Sequence, residues 1–326
     1  MFLQVGGMSS MRSNLLRAAT SRGFVETSDG GFEFDVSRSL TCRYEPDSRV
    51  LWTRMAPSGI PCFTLDLLRD MERGSQIVES HFASPNASAS VAYVVLTSSI
   101  PKVFNLGGDF GSFLEQIKTQ DRVALTEYAK SAINVVYRNY TCHNLRGVTT
   151  VALLEGDALG GGLECALSCD VIIAERHVKC GFPEVLFDMF PGMGALSFLS
   201  RRCSRSIVQE LTRSGRQFTA DELQSMGVVD QVVDTGTGAD AVHNLVKRRR
   251  GQANGHNAMN TVERMLRPVT LQELYEVVGI WVNIALGLSP RGQDWMRRVY
   301  LQQRRAFNSD LQVTDTNVRP ISSSFG

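Results

Sequence analysis

The chain has 326 residues, of which 43% are hydrophobic and 21% charged, and its formal net charge is +1. This balance excludes a chain that is disordered throughout and suits one large domain or two modest ones. Apolar runs such as Val91–Leu96 and Val148–Leu154 are far shorter than the roughly 20 residues that a membrane-spanning helix needs, so no membrane span is predicted.

Along the first half of the chain, short apolar runs alternate with segments of helical spacing. Residues 1–38 show no clear hydrophobic period and are predicted to form a poorly ordered N-terminal extension. The elements expected after it are a hairpin over Leu40–Met55, a helix over Phe63–Arg73, a loop over Ser84–Ser90, a buried strand over Val91–Ser98, a tight turn over Asn105–Asp109 and a helix over Ile117–Tyr140.

The alternation continues from residue 148 onward and then gives way to helices. The expected elements are a buried strand over Val148–Glu155, a turn over Leu159–Leu163, a short helix over Leu163–Cys169, a strand over Val171–Ala174, helices over 192–213 and 219–226, and a strand over Val228–Val233. Thr219, with Glu222 three residues later, is a candidate helix cap. We therefore predict an α/β core domain over 39–240, a helical C-terminal region over 241–307 and a disordered polar tail over 308–326.

Charge and cysteine content give weaker indications. Residues 1–200 carry a net charge of −4 and residues 201–326 a net charge of +5, so the C-terminal third is basic. Solvated helix faces are the simplest explanation, and a docking surface for an acidic partner or a phosphorylated handle is the alternative. No motif supports nucleic-acid binding. Seven cysteines, an odd number without a CxxC pair, indicate reduced thiols and a cytoplasmic protein.

The segment Glu155–Asp170 holds the most informative pattern. Three consecutive glycines, Gly160–Gly162, separate a predicted strand from a predicted helix, and they let the backbone approach a ligand closely. The amide of Gly161 would lie near the helix N-terminus, where free N–H groups favour a developing negative charge. Glu164 follows on the first helical turn, beside whatever those amides bind.

A second carboxylate, Glu184, follows Glu164 by 20 residues, which is enough chain to return it to the same pocket. Two carboxylates beside oxyanion-binding amides suit proton removal next to a thioester carbonyl. The turn at Asn105–Asp109 offers Gly108 as a second amide. Each feature alone is more often an ordinary turn or a partner of the helix dipole, so the interpretation depends on their ordered combination. No metal-ligand spacing is present.

Two segments, Leu159–Asp170 and Gly181–Gly194, resemble the enoyl-CoA hydratase/isomerase, or crotonase, superfamily. The first matches most of the family's A-L-G-G-G-x-E-x-A-x-x-C-D stretch, and the second matches its P-E and P-G-x-G pairs. Val103–Asp109 matches part of an upstream A-F-x-x-G-x-D turn. The resemblance covers roughly residues 40–300. It implies a crotonase fold of repeated ββα units, an oxyanion hole made by the amides of Gly108 and Gly161, and a homo-oligomer of the trimer or dimer-of-trimers kind.

Further segments are similar to the bacterial diffusible signal factor synthases of this superfamily. These are Val103–Asp109, Phe182–Phe187, Phe190–Ala195, Ser197–Arg202 and Ile280–Val282. The similarity implies dehydration of a 3-hydroxyacyl-acyl carrier protein and hydrolysis of the thioester, which release a cis-2-unsaturated fatty acid signal without a cofactor. We expect Glu184 to remove the C2 proton and Glu164 to assist loss of the 3-hydroxyl. The two roles are exchangeable, because paired carboxylates titrate as a unit.

The acyl chain of such a substrate needs an apolar tunnel. Candidates around the site are Leu159, Gly160, Gly162, Leu186, Phe187, Met189, Phe190, Met193, Leu196 and Phe198, with Trp281 as a cap that the resemblance suggests. Ordinary core packing is an equally good explanation for each apolar side chain.

Two other functions stay open. One is a CoA-dependent enoyl hydratase or isomerase, which would use the same two glutamates on a CoA-linked substrate. The other is a non-catalytic crotonase-fold protein that binds a regulatory partner. Both Glu164 and Glu184 are present, and this argues against a non-catalytic scaffold, because a buried carboxylate costs folding free energy.

Overall fold

The structure, a computed structural model, describes residues 23–83 and 90–315. Within these ranges the chain forms two β-sheets covered by helices. The larger sheet contains β1 (Phe24–Glu26), β2 (Phe32–Ser37), β3 (Leu40–Glu45), β4 (Val50–Met55), β5 (Tyr93–Ser98), β7 (Thr149–Leu154), β9 (Val171–Glu175) and β12 (Gln231–Val233). The smaller sheet contains β6 (Lys102–Asn105), β8 (Gly156–Leu159), β10 (Lys179–Gly181) and β11 (Gln217–Thr219).

Helices follow most of the strands and make up the C-terminal region. They are α1 (Leu65–Phe82), α2 (Phe110–Thr119), α3 (Arg122–Tyr140), α4 (Gly161–Leu167), α5 (Ala195–Arg202), α6 (Arg205–Arg213), α7 (Ala220–Ser225), α8 (Gly238–Arg249), α9 (Ala253–Leu266), α10 (Leu271–Leu286) and α11 (Pro290–Asp315). Two 3₁₀ segments cover Cys142–Asn144 and Pro183–Phe187. The predicted α/β class and the helical C-terminal region are confirmed.

The larger sheet is antiparallel from β1 to β4 and parallel from β4 through β5, β7 and β9 to β12. All six residues of β7 and all five of β9 are buried. A strand that is covered on both faces has apolar residues at consecutive positions, and such a run can be recognised in the sequence. The hairpin predicted over Leu40–Met55 is the β3–β4 pair.

The two faces of this sheet carry separate cores. One face holds the main core with α1 and α3, and it also contains the aromatic residues near the candidate site. The other face holds a smaller core in which Trp52 and Val151 pack with Val242 and Leu245 of α8. The candidate site therefore lies on the face opposite α8.

The smaller sheet places the candidate site and was not predicted. Its strands have only three or four residues each, too few to show a hydrophobic period. β6, β8 and β10 are parallel, so their carboxyl ends meet at one edge. Gly107 follows β6, Gly160 follows β8 and Glu184 follows β10 at that edge.

Two long helices in the prediction are each interrupted. The helix expected over Ile117–Tyr140 is the end of α2 followed by α3, because Gln120 adopts a left-handed conformation with φ of 56°. Asp121 then caps α3 by accepting a hydrogen bond from the Ala124 amide at 2.9 Å. The segment over 192–213 is likewise split into α5 and α6. The cap predicted at Thr219 is confirmed, since its hydroxyl accepts from the Glu222 amide at 3.1 Å.

The expected ends of the ordered chain need correction. Part of the 1–38 extension forms β1 and β2, because Phe32, Phe34 and Val36 alternate with polar residues and turn a hydrophobic face to the main core. At the other end α11 continues to Asp315, past the expected start of the tail at 308. Residues 1–22, 84–89 and 316–326, which include most of the predicted loop over Ser84–Ser90, lie outside the described residues.

The seven cysteines are free thiols, and six of them are buried. Among the helices that the structure describes, none is by itself long and apolar enough to cross a membrane. The pair α9 and α10 passes that test only when the two are joined across their 56° bend.

Candidate active site

The glycine run between β8 and α4 is required by close contacts on both sides. Gly160 has a φ of 50°, and a β-carbon there would lie 2.4 Å from Oε1 of Glu184. A β-carbon on Gly162 would lie 2.1 Å from the carbonyl oxygen of Asn105. Glycine therefore lets the Glu184 carboxylate approach the turn while α4 packs against the end of β6.

The loop after β6 lies against the same turn. Gly107 has a φ of 94°, and a β-carbon there would lie 3.1 Å from the amide nitrogen of Gly161. The Phe63 amide holds this loop by donating to the Gly107 carbonyl at 2.7 Å. Across the described ranges, the amides of Gly108 and Gly161 donate no hydrogen bond. Two unpaired donors thus lie on adjacent loops.

Tyr128 of α3 lies behind the Gly107–Gly108 loop. Its hydroxyl donates to the Phe63 carbonyl at 2.5 Å and accepts from the Asp109 amide at 3.4 Å. Burial raises the pKa of this phenol well above its ordinary value, so the hydroxyl stays protonated. Tyr128 therefore links Asp109 to Phe63 and holds the loop that contains Gly107 and Gly108.

Glu164 lies on the first turn of α4 and is 2% exposed. Its Oε1 accepts hydrogen bonds from the amides of Met193 at 2.7 Å and Ala195 at 2.9 Å. Burial raises the pKa of Glu164 to about 7, against the opposing effect of the Ala195, Met193 and Gly194 amides. Because these two hydrogen bonds go to Oε1, Oε2 is the oxygen available for proton transfer.

Glu184 lies in the 3₁₀ segment after β10, where Pro183 begins the turn. Its Oε2 is buried and lacks a hydrogen-bond partner in the described part of the chain. Burial, and then the negative charge of Glu164, raise the pKa of Glu184 well above its ordinary value. The two carboxyl groups interact, so the pair holds a proton near neutral pH, and the proton lies mainly on Glu184 because the amides stabilise charge on Glu164.

Glu164, Glu184, Gly108 and Gly161 all line one cavity of about 60 Å³. Of the predicted site residues, Gly108, Gly161, Glu164, Glu184, Met193 and Trp281 line this cavity, as do the tunnel candidates Phe187 and Met189. The rest of the wall is mainly apolar, which strengthens electrostatic interactions inside it.

Other predicted pocket residues do not line the cavity. Leu186 is 53% exposed and packs against Gly215, because the 3₁₀ turn directs Phe187 inward and its neighbour outward. Leu196 is 42% exposed, and Phe198 is buried beside Tyr140. Leu159, Gly160, Gly162 and Phe190 are also outside the lining; the first three shape the turn, and Phe190 packs at the edge of the main core.

Several wall residues were missed by the sequence analysis. They are Phe63, Phe110, Phe113, Tyr128, Ala129, Ala132, Gly192 and Met296. They come from distant parts of the chain, and those that lie on helices have a spacing that is typical of ordinary core. Small Ala129 and Ala132 on neighbouring positions of α3 are the one available signal, since small residues leave space beside a helix.

Trp281 of α10 closes the wall beside Gly192. A β-carbon on Gly192 would lie 2.2 Å from Cδ1 of Trp281, so only glycine lets the indole approach. The indole also meets the Phe113 ring edge-on, with centroids 5.2 Å apart. Trp281 is 9% exposed. The helical C-terminal region thus contributes directly to the cavity.

No group of three His, Cys, Asp or Glu side chains in the described ranges is arranged to hold a metal ion. Among the residues that line the cavity, the two carboxyl groups and the backbone amides of Gly108 and Gly161 suit proton transfer beside a carbonyl whose oxygen gains negative charge.

Comparison with known proteins identifies the family and the fold of the chain. The enoyl-CoA hydratase/isomerase family profile matches residues 78–277. An Arabidopsis thaliana protein named "Probable enoyl-CoA hydratase 2, mitochondrial" is 28% identical over 235 residues, which cover 69% of this chain and 73% of that protein. The human mitochondrial methylglutaconyl-CoA hydratase is 30% identical over 155 residues, covering 47% of this chain and 43% of that protein.

Solved structures show the same fold. The enoyl-CoA hydratase of Bacillus halodurans has a TM-score of 0.66 and 21% identity, covering 80% of this chain and 99% of that one. Pseudomonas aeruginosa DspI has a TM-score of 0.61 and 21% identity, covering 72% of this chain and 90% of that one. Because the family profile spans well over half of the sequence, the chain belongs to the enoyl-CoA hydratase/isomerase family.

Proposed function

We propose that this protein dehydrates a 3-hydroxyacyl-acyl carrier protein and then hydrolyses the thioester, releasing a cis-2-unsaturated fatty acid that serves as a signal. One observation carries the proposal: the carboxyl groups of Glu164 and Glu184 line one mainly apolar cavity with Gly108 and Gly161, whose amides donate no hydrogen bond within the described ranges. The raised pKa values of both carboxyl groups favour a proton held between them. Dehydration needs a base and an acid around one substrate, and a shared proton supplies both.

In the dehydration step the thioester oxygen accepts from the amides of Gly108 and Gly161. Glu184, in its ionised form, removes the C2 proton, and protonated Glu164 gives its proton to the leaving 3-hydroxyl, which departs as water. The step leaves the proton on Glu184 and the charge on Glu164, which is the arrangement that the backbone amides favour in the resting pair. The pair reaches the reactive form by moving one proton between two coupled groups.

The same arrangement suits the hydrolysis that follows. Ionised Glu164 accepts a proton from a water molecule while the oxygen of that water attacks the thioester carbon, and the resulting oxyanion lies at the two glycine amides. Glu184 then donates its proton to the departing thiolate, so the products are a free acid and a thiol. Each positioned acid or base contributes about 10²- to 10⁴-fold to such a step.

A second function, reversible hydration of an enoyl-CoA, is favoured by the names of the relatives. It uses the same groups in the reverse direction: Glu164 activates water and Glu184 delivers the proton to C2. The two functions differ in whether the thioester bond is broken. They also differ in the carrier, which is CoA in one case and a protein in the other.

Mass spectrometry of a reaction with 3-hydroxydodecanoyl carrier protein tests the proposal. We expect a free 2-enoic acid from the wild type and its loss in both Glu164→Gln and Glu184→Gln. Glu175→Gln is the matched control, because Glu175 is also buried and also accepts from two backbone amides, those of Gly236 and Gly238, but lies outside the cavity.

Each outcome of this experiment decides between the functions. An enoyl thioester that accumulates without free acid would overturn the hydrolytic part and leave a dehydratase. The same acyl group linked to CoA serves as a second substrate, and turnover of that substrate alone would favour the hydratase. No turnover of either substrate, in protein that unfolds at the same temperature as the control, would favour a non-catalytic binding protein.

A further inference from the structure

α11 carries an unusual concentration of positive charge on its outer side. Between Pro290 and Phe307 it holds five arginines and one aspartate, a net charge of +4 on a chain whose total is +1. The arginines are Arg291, Arg297, Arg298, Arg304 and Arg305, and all five are exposed. The remainder of the protein is therefore net acidic, and the basic character of the C-terminal third is concentrated on this helix.

The spacing of these arginines puts them on a continuous strip. Arg291, Arg298 and Arg305 recur every seven residues, which is close to two helical turns, and Arg297 and Arg304 run parallel to them. At a rise of about 1.5 Å per residue the strip is roughly 21 Å long. In the described ranges none of the five forms an ion pair, whereas Arg43, Arg201 and Arg216 on other elements each contact a carboxylate.

Apolar side chains are interleaved with this strip. Trp295 is 42% exposed and Leu301 is 40% exposed. The guanidinium of Arg298 lies over the Trp295 ring, 5.8 Å from its centroid. Tryptophan and arginine are enriched among the few residues that carry most of the binding energy of protein interfaces.

The inner side of the same helix is part of the active-site wall. Met296, 1% exposed, lines the cavity that holds Glu164 and Glu184. A β-carbon on Gly292 would lie 3.0 Å from the Phe187 carbonyl oxygen, so the helix also packs on the segment that carries Glu184. The charged strip is therefore separated from the cavity by about the thickness of one helix, 10–12 Å.

From these observations we propose that the outer face of α11, defined by Arg291, Trp295, Arg298, Leu301 and Arg305, docks the acidic carrier protein that delivers the acyl chain. This rests on the proposed function, which requires a carrier-bound substrate. Charge complementarity identifies the occupant: a small acidic protein with a flexible thioester arm matches a helix segment of net charge +4 whose inner side lines the cavity. The strip would steer the carrier and hold it while the arm enters the cavity.

The test compares two donors of the same 3-hydroxyacyl group, one on carrier protein and one on pantetheine, the arm without the protein. In the triple variant Arg291→Glu, Arg298→Glu, Arg305→Glu we expect KM for the carrier-bound substrate to rise by about 10-fold or more. Turnover of the pantetheine substrate should match the wild type, which also shows that the variant is folded. Added salt should raise KM for the carrier-bound substrate alone.

The matched control reverses three charges on the other side of the molecule. Lys247→Glu, Arg248→Glu, Arg250→Glu changes net charge equally at exposed positions of α8 and its C-terminal cap, on the opposite face of the larger sheet. We expect this variant to keep the wild-type KM for both donors. An equal rise in KM in both triple variants would overturn the proposal, since total charge rather than α11 would be responsible.

Three further outcomes are decisive. An unchanged KM for carrier protein in the α11 variant would overturn the docking site while leaving the proposed function intact. Binding to phosphatidylglycerol vesicles that is lost in that variant, with KM unchanged, would identify an anionic membrane surface as the occupant instead. If the wild type releases free acid from neither donor, the proposed function itself fails, and the docking proposal that rests on it fails with it.

Discussion

Substitution of Gly160 by alanine offers a direct test of how the turn before α4 positions Glu184. The new β-carbon would lie 2.4 Å from Oε1 of Glu184, whereas ordinary contacts begin at 3.4 Å. The carboxylate must therefore retreat by about 1 Å, and a misplacement of that size costs about 10²-fold in rate. The positive φ of Gly160 adds about 1–3 kcal/mol of strain. We expect kcat to fall about 10²-fold with a modest loss of stability.

Gly227→Ala separates the two effects. Gly227 also has a positive φ, 76°, but nothing lies within 4 Å of the position that a β-carbon on it would take. Steady-state kinetics and thermal unfolding of the two variants, side by side, should show similar losses of stability and very different kcat values. If Gly160→Ala retained the kcat of Gly227→Ala, the close approach of Glu184 to the turn would have no part in the reaction.

Other consequences of the site are also measurable. Since burial raises the pKa of Glu164 to about 7, the rate of the proposed thioester hydrolysis should increase as pH rises through 7 and decrease at higher pH when Glu184 loses its proton; a flat profile from pH 5 to 9 would contradict this. Between pH 4.5 and 7 the folded state keeps the protons of both carboxyl groups, whereas the unfolded state loses them. The free energy of unfolding should therefore fall over this range by up to about 1.4 kcal/mol per pH unit for each group. Urea titrations of Glu164→Gln should show half of the wild-type slope. Tyr128→Phe removes the hydroxyl that holds the loop containing Gly108, so kcat should fall by up to about 10²-fold, as when an oxyanion donor is removed, while KM stays unchanged. An equal effect on kcat and KM would indicate instead that the whole cavity has become less ordered. Ala132→Leu, which fills part of the cavity, should abolish turnover of a dodecanoyl substrate while a butanoyl substrate is retained, as competition assays with both would show.

The residues that the sequence identified are those whose chemistry depends on local backbone geometry. Gly160 and Gly161 are visible because a strand, a tight turn and a helix follow one another within a few residues. Glu164 is placed by the same helix, and Glu184 by the turn that Pro183 begins. Each requirement is short-range, so the pattern of residues reveals it.

The cavity wall could not be predicted in the same way. Phe63, Phe113, Trp281 and Met296 become neighbours only through packing between distant elements, and apolar side chains of this kind are equally typical of core. Leu186 shows the converse error: it is apolar and next to the site residues, yet a 3₁₀ turn directs it to solvent. The interruption at Gln120 was missed because its αL conformation leaves no mark in hydrophobic periodicity.

The contribution of Trp281 to the cavity has a consequence for how the protein folds. Phe63 and Trp281 line the same space although more than 200 residues separate them, and α10 reaches its place through contacts such as the 2.7 Å hydrogen bond from the Tyr275 hydroxyl to Asn134. Such long-range closure is slow compared with formation of a local hairpin like β3–β4. The closed cavity should therefore form last during refolding, after the sheets have formed.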